Sequence, residues 1–556
     1  MSPIAEDASR ASVHSTNQID PTPSTSEYDD AERNYQPKTF KFWAIMISMY
    51  LSIFLIALDR TIIAVAIPEI SNQFHSIEDI GWYGSSYMLT AACFNPFFGR
   101  IYQIYSTKWT FIASITIFEV GSVLCGAAPN SPTFIIGRAI AGLGAAGVFS
   151  GGMMIIIPLI PLRKRPTYTA IFGMAFGVSS VVGPLVGGAL TDNVTWRWCF
   201  YINLPIGGVT MIAILMFLNI PSPKRERVTI LGQIKRLDPI GLLVFVPCIV
   251  CLILALSWGG TTYAWSEPKI IGLLVTFAVL LVVFIIFEAM TPETAMMPAR
   301  VVLNRSVAGS MLFTFLSYGG VMAIVYYLAT WFQVVKNDSA TAAGVKTIPL
   351  VLAMVVFSII SAKITERIGY YIPAMLLSPI LSAAGAGMLS TMTRFSDHNA
   401  WIGYQVLFGF GLGCGAQQAS LAPQKVLSRS DVPIGMALMF FMQQLGGSVF
   451  LAVGQNIFST DLIEHLAGVA NLDARAVVNT GATEIRKLVP PVELDLVVDA
   501  FNHAITRVFL VAAVVSAVMI VGPAMMEWKS IKDDSKDEGA SKTDDVEEKF
   551  QNDSKA

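Results

Sequence analysis

The chain has 556 residues, length enough for several soluble domains, but 54% of them are apolar and only 14% are charged, against roughly 25% charged in an ordinary soluble protein. Apolar stretches of about 20 residues recur along most of it, the length needed to cross a bilayer core of roughly 30 Å, so the chain is an all-α polytopic membrane protein. A formal net charge of −2 without a long basic cluster excludes a nucleic-acid partner.

Residues 1–41, rich in Ser, Thr, Pro, Asp and Glu, are expected to form a disordered tail. They lack the apolar core and cleavage site of a signal peptide. Apolar windows between polar breaks then predict fourteen helices. Six fall near 42–67, 80–98, 109–128, 133–155, 168–190 and 198–218, and two more near 239–257 and 269–289. The last six fall near 307–331, 347–366, 371–392, 400–422, 433–457 and 504–526. The chain thus divides into an N-terminal six-helix bundle (42–218), a linker with two inserted helices (219–289) and a C-terminal six-helix bundle (290–526). The last contains an outer loop, 458–503, that reads partly as an amphipathic helix, and a second disordered tail follows at 527–556.

An even number of spans puts both tails on one side, and Lys and Arg decide which. The loops on the tail side carry Arg100, Lys108, Arg163, Lys164, Arg165, Lys224, Arg225, Arg227, Lys235 and Arg236, then Arg300, Arg305, Lys363, Arg367, Lys425 and Arg429. The opposite short loops carry only Arg197, Lys269, Lys336, Lys346 and Arg394. The bias places both tails in the cytoplasm. Two glycosylation sequons, at Asn193 and Asn337, then face outward. Six cysteines lie apart, Cys248 and Cys251 being the nearest pair, and suggest neither a disulfide framework nor a metal set. Five histidines, at 14, 75, 398, 465 and 503, are scattered along the chain, so no metal site is expected.

The segment GRAIAGLGAAGVFSGG, Gly137 to Gly152, has glycines spaced as in a dinucleotide-binding loop. That loop requires a preceding strand and an acidic residue about 20 positions on. Here the motif lies within one apolar span, and the next acidic residue is Asp192, on the far side of the membrane. Gly137, Gly142, Gly144 and Gly147 instead suit close helix packing, which drives association where lipid cannot. The fifth helix repeats the theme in GMAFGVSSVVGPLVGG: Gly173, Gly177, Gly183, Gly187 and Gly188 provide contact surfaces, and Pro184 removes one backbone hydrogen bond.

Weak internal repetition appears once the two inserted helices are set aside. The basic loop GRIYQIYSTKW, from Gly99, matches AKITERIGYYIP, from Ala362, and GLGAAG matches GFGLGCG, from Gly409. Aligning the glycines puts Gln405 opposite Arg138. Repeats of this kind favour two bundles around a central cavity.

Several of these segments together resemble the major facilitator superfamily. GVSSVVGPLVGG is similar to its antiporter motif and GRAIAGLGAAG to its fourth-helix motif built around an arginine. LDRTIIAVAIPEI, from Leu58, resembles the first-helix signature of the fourteen-helix drug:proton antiporter branch, and WRWCFYINLPIG, from Trp196, a stretch common in its fungal toxin and multidrug exporters. The likeness covers residues 41–526. It implies the major facilitator fold, and export of lipophilic molecules driven by inward proton flow. In the loop after the second helix, Gly99, Arg100 and Lys108 match the inner-gate pattern, but Gln103 stands where many relatives carry an aspartate, so the family's charge relay is not carried over.

Ionisable groups within a bilayer are costly and hence functional candidates. At about 1.5 Å rise per residue, Asp59 and Glu119 lie roughly 12–14 Å below the outer ends of their helices and Arg138 roughly 8 Å. Either carboxylate, paired with Arg138, is a candidate proton acceptor; a permanent ion pair, or an Asp59 that only hydrogen-bonds, are the other readings. Candidate cavity residues are Asn95, Gln417, Gln418, Gln443, Gln444, Tyr318, Tyr326, Tyr327 and Phe441, the aromatics suiting bulky apolar molecules.

The expected function is therefore a proton-coupled exporter of drugs, toxins or secondary metabolites, monomeric, in the plasma or a vacuolar membrane. The proton gradient is its driving force and no cofactor is required. The alternatives are proton-coupled uptake, as of siderophores, and a transporter-like sensor. A membrane-embedded enzyme is disfavoured because neither a metal-ligand nor a nucleophile cluster is present, and an ATP-driven pump because the sequence has no GxxxxGK[ST] loop.

Overall fold

The computed structural model describes residues 31–32, 34–76, 79–219, 229–260, 263–466 and 493–532. Most of both tails, the linker residues Lys224, Arg225 and Arg227, and the middle of the outer loop lie outside the described residues. The first six long helices are α1 (Phe40–Phe74), α2 (Ile80–Ile104), α3 (Thr107–Ala127), α4 (Ser131–Leu159), α5 (Arg165–Asn193) and α6 (Asn203–Phe217). The next two are α7 (Pro239–Trp258) and α8 (Pro268–Met290). Then come α9 (Arg305–Val334), α10 (Ile348–Ile368), α11 (Ile372–Leu389), α12 (His398–Gly415), α13 (Val432–Leu466) and α14 (Leu494–Val518). Among the described residues, twelve helices are long and apolar enough to cross a membrane. The long helices α2 and α12 fall short of that test, since Asn95 and Arg100 interrupt one and Asn399 and Gln405 the other.

Several helix ends differ from expectation, each for a local reason. The one-turn helix Trp198–Tyr201 is separate from α6, because Pro205 lacks the N–H that would bond the Tyr201 carbonyl. α12 stops at Gly415 and continues as a 3-10 turn, Gln418–Ser420, and a short helix, Leu421–Val426. Its glycine-dense end has the weakest helix propensity short of proline. α13 and α14 both reach into the segment expected to be outer loop. Polar residues such as Asp461, Glu464, Asp495 and Asp499 hide these turns from a hydropathy window, while Phe458, Leu462 and Leu466 still form an apolar ridge packed on Val497, Phe501 and Ile505.

Glycine sets the packing of each half. On α4, a Cβ at Gly144 would stand 2.3 Å from the Phe118 backbone N of α3, and one at Gly142 would stand 2.2 Å from the Tyr87 carbonyl of α2. Gly137 and Gly147 press α3 likewise, against Cys125 and Ser114. α4 is thereby clamped between α2 and α3. The second half repeats the arrangement: on α12, Gly409 and Gly413 press α10 at Leu350 and Met354, while Gly411 presses α11 at Ser382. One apolar core joins α1–α6 and takes in Val432 and Met436 of α13, and another joins α9–α14. α7 and α8 pack on each other, and Phe245 of α7 touches Phe441 of α13 at 5.4 Å between ring centres.

α5 has two small-residue surfaces, as its glycine spacing suggests. Gly183 and Gly187 lie against Thr61 and Ile62 of α1, and Gly188 is 3.9 Å from Val65 at its virtual Cβ. Gly177 lies against Val351 and Val355 of α10, and Gly173 faces Gln417. Pro184 lies inside a helix that continues through it.

Candidate functional site

Four helices of the first half converge on one charge pair. Arg138, from α4, places Nη1 2.6 Å from Asp59 Oδ2 of α1, and the two side chains are 2% and 0% exposed. Its Nε donates to the Tyr83 carbonyl at 3.0 Å, and the guanidinium sits 4.5 Å from the centre of the Tyr87 ring, a cation–π distance. The other Asp59 oxygen accepts from Asn203 Nδ2 of α6 at 3.4 Å, and the same amide reaches Ser122 Oγ at 3.1 Å. Burying two ions costs several kcal/mol each unless pairing and hydrogen bonds satisfy them. Here both kinds of partner are present.

Glu119 is not part of the pair. It is buried on α3, and neither carboxylate oxygen has a hydrogen-bond partner among the described residues. Its Oε1 occupies the space left by Gly207 of α6, where a Cβ would stand 1.8 Å away.

Beside the pair, between the two halves, lies a narrow cavity in the closed state. The first half lines it with Arg60, Tyr87, Ala91, Asn95, Ala145, Ala146 and Phe149, and α13 lines it with Phe440, Gln443 and Gln444. Arg60 follows Asp59 in the chain but points the other way, donating to Gln444 Oε1 from both terminal nitrogens at 3.3 Å. No carboxylate forms an ion pair with it among the described residues. Tyr87 belongs to both sites, with its ring against Arg138 and a surface on the cavity. Asn95 Oδ1 is buried and has no hydrogen-bond partner among the described residues. The walls are thus mostly apolar or aromatic, with one cation and a few amides.

Of the candidate cavity residues, Asn95, Gln443 and Gln444 line this space and the others do not. Tyr327 bonds Gln455 Oε1 at 2.9 Å in the core, and Tyr326 is 53% exposed on the surface. Phe441 packs against α7. Gln418 donates to Ser361 Oγ at 3.4 Å, Gln417 lies beside Gly173, and Tyr318 interacts electrostatically with Arg60 from outside the lining. Arg60, Tyr87 and Phe149 were missed as lining. The signal for Arg60 was its place inside an apolar span; the aromatics look like any core residue. Gln405, opposite Arg138 in the repeat, is fully buried, and neither amide atom has a partner among the described residues.

The end of the molecule with the basic turns is closed by contacts between the halves. Gln103 Nε2 donates to Asp431 Oδ1 at 3.3 Å, Arg165 to Gln424 Oε1 at 3.2 Å, and Thr167 to Glu366 Oε2 at 2.9 Å. Gly99 lets α2 approach Pro433 and Ala437 of α13. Arg100 joins the cluster through Gln103 and the carbonyls of Arg236 and Glu293. Arg300 grips both oxygens of Asp431 at 2.9 and 3.0 Å, holding that carboxyl below its usual range. Gln103 therefore links the halves without a charge of its own. Lys108, expected in the gate, instead donates to the Leu215 carbonyl within the first half at 2.7 Å.

At the opposite end Asn193 and Asn337 are both exposed; the first bonds the Ala189 carbonyl at 2.9 Å and the second has a left-handed φ of 59°. Two histidines expected to stand apart meet there, His465 and His503, beside Asp461.

A family model described as Major Facilitator Superfamily matches residues 49–451. The chain is 48% identical to the MFS-type transporter VdtG of Byssochlamys spectabilis, over 89% of each chain. It is also 48% identical to the MFS-type efflux pump MFS1 of Trichophyton rubrum, over 88% of this chain and 92% of that one. With the efflux pump aflT of Aspergillus parasiticus it shares 45% identity over 90% and 98% of the two. Among solved structures it is similar to the human organic anion transporter MFSD10 (TM-score 0.55, 14% identity, 85% of this chain and 99% of that one) and to the proton:xylose symporter XylE (TM-score 0.53, 13% identity, 85% and 94%). At those identities the structures speak for the fold alone. Glycine-clamped helices in two repeated halves, a cavity between them and these relatives lead to one conclusion: the chain belongs to the Major Facilitator Superfamily.

Proposed function

We propose that the protein is a proton-coupled exporter of lipophilic small molecules, working by alternating access. The observation that carries this reading is the buried Asp59–Arg138 pair, which shares Tyr87 with a largely apolar cavity between the halves. A carboxylate held by a buried cation is stable only while ionised; protonation removes the attraction and releases Arg138. Because α1, α2, α4 and α6 all contribute to the pair, its loosening shifts the balance between the two access states. Relatives whose names are efflux pumps support export as the direction.

In this reading the fourteen long helices all span the membrane, α2 and α12 being shielded by their neighbours, and both tails are cytoplasmic. The protein is a monomer, with bundles at 42–218 and 290–526, and the plasma membrane is its site. The basic turns then form the inner gate, closed in the state described.

Purified protein in vesicles, with pH gradients of each sign imposed, tests direction and coupling together. Substrate moving against the proton flow supports export, movement with it supports uptake, and movement unaffected by the gradient overturns proton coupling.

A further inference from the structure

We infer that Asp461, His465 and His503 form a binding site for a borderline divalent transition cation, with zinc as the representative, at the end of the molecule opposite the basic turns. One ligand atom from each residue lies within 4.8 Å of the other two. His503 Nδ1 is 2.7 Å from Asp461 Oδ2, and the two imidazole rings are centred 4.2 Å apart.

The chain builds this trio from two helices. Asp461 and His465 are four residues apart on α13 and so share one face, and His503 comes across from α14. The neighbouring face of the same turns is the apolar seam, where Phe458 meets Phe501 with ring centres 5.7 Å apart and Leu462 and Leu466 are fully buried. The seam fixes the two backbones. Only the side chains therefore have to be ordered for the trio to close around an ion.

The donor set fits zinc. Imidazole nitrogens and a carboxylate oxygen are its usual ligands, with bonds of about 2.0–2.2 Å, and three protein ligands leave a fourth position for water. Atoms bonded to one tetrahedral ion lie about 3.4 Å apart by that geometry, and the imidazole side chains, 42% and 40% exposed, are free to rotate that far. One carboxylate opposite two neutral imidazoles leaves a single negative charge for the cation to neutralise. A hard cation such as magnesium, which prefers all-oxygen ligands, is disfavoured. The site ties α14 to α13, the helix that supplies Phe440, Gln443 and Gln444 to the cavity.

The test is a zinc titration of the full chain in nanodiscs at about pH 7, in competition with a chromophoric chelator. One zinc per chain is expected, with affinity reduced at least about tenfold in His503→Ala and in Asp461→Asn, and unchanged in His398→Ala. The absence of saturable binding, or wild-type affinity in the His465→Ala/His503→Ala double variant, overturns the site. Cobalt(II) spectra of the wild-type chain provide a measurement independent of any variant's folding. Imidazole and carboxylate coordination bands support the assignment, whereas a thiolate charge-transfer band, or no bound cobalt, overturns it.

Discussion

Arg138 and Asp59 meet at 2.6 Å between α4 and α1, and almost none of either side chain reaches solvent. Neither charge is tolerable there alone, so the two residues act as one unit whose charge state is changed only by a proton on the carboxylate. Asp59→Ala, which strands the guanidinium, should lower stability by about 3–5 kcal/mol, measured as a fall in Tm in detergent. Asp59→Asn keeps an acceptor for Arg138 and should fold, but its export should no longer respond to an imposed pH gradient. A normal pH response in that variant would remove Asp59 from the coupling mechanism.

Glu119 makes the contrasting case. Without a donor facing it and with Gly207 at its oxygen, its charge is not used by the pair. Glu119→Gln should preserve both coupling and fold, as read by the same vesicle assay. A loss of coupling equal to that of Asp59→Asn would show that the proton travels through both carboxylates.

Arg60 is the one cation on the cavity wall, held by Gln444 through long hydrogen bonds. Substrates with a carbonyl or phenolic oxygen should displace Gln444 and accept from Arg60. A hydrogen bond to a charged group is worth about 1.5–3 kcal/mol, so Arg60→Ala should weaken such substrates by roughly tenfold to a hundredfold. Purely hydrocarbon substrates should be affected far less, and comparing the apparent KM values of the two classes is the check.

The inner closure has its own pH signature. Hydrogen bonds from Arg300 hold the Asp431 carboxyl below its ordinary range. A carboxylate depressed in this way stabilises the fold at any pH above its unfolded-state value and loses that contribution only as pH falls through the lower folded value. Between about pH 5 and 8 it stays ionised. Asp431→Asn should therefore change the transport rate while leaving the shape of the pH profile intact over that range. A profile displaced along the pH axis would place the titrating group at the gate.

Glycine packing is testable with an internal control. Gly144→Ala drives a methyl group into the α3 backbone, whereas a Cβ at Gly84 meets nothing within 4 Å. Overpacking of this kind costs about 1–3 kcal/mol. The first variant should melt well below wild type and Gly84→Ala close to it, by the same detergent melt.

The sequence alone determined the class of molecule, its succession of apolar helices, its glycine spacing and the cost of each intramembrane charge, because hydropathy, small residues and ionisable residues are properties of single positions. It placed Asp59, Glu119 and Arg138 at comparable depth, but depth is one coordinate. Which carboxylate Arg138 reaches depends on the rotation of α1 and α3 about their axes, and that is set by how Gly142 and Gly144 let α4 settle between its neighbours. The same limit hid the cavity: Arg60 and Asp59 are adjacent in the chain, and only the packing turns one toward Arg138 and the other toward Gln444. His465 and His503 are the extreme case. Thirty-seven intervening residues separate them in the chain, and the apolar seam of α13 and α14 brings their rings within 4.2 Å. Tertiary structure decided these partnerships because contact between distant positions is made by packing, which no local pattern records.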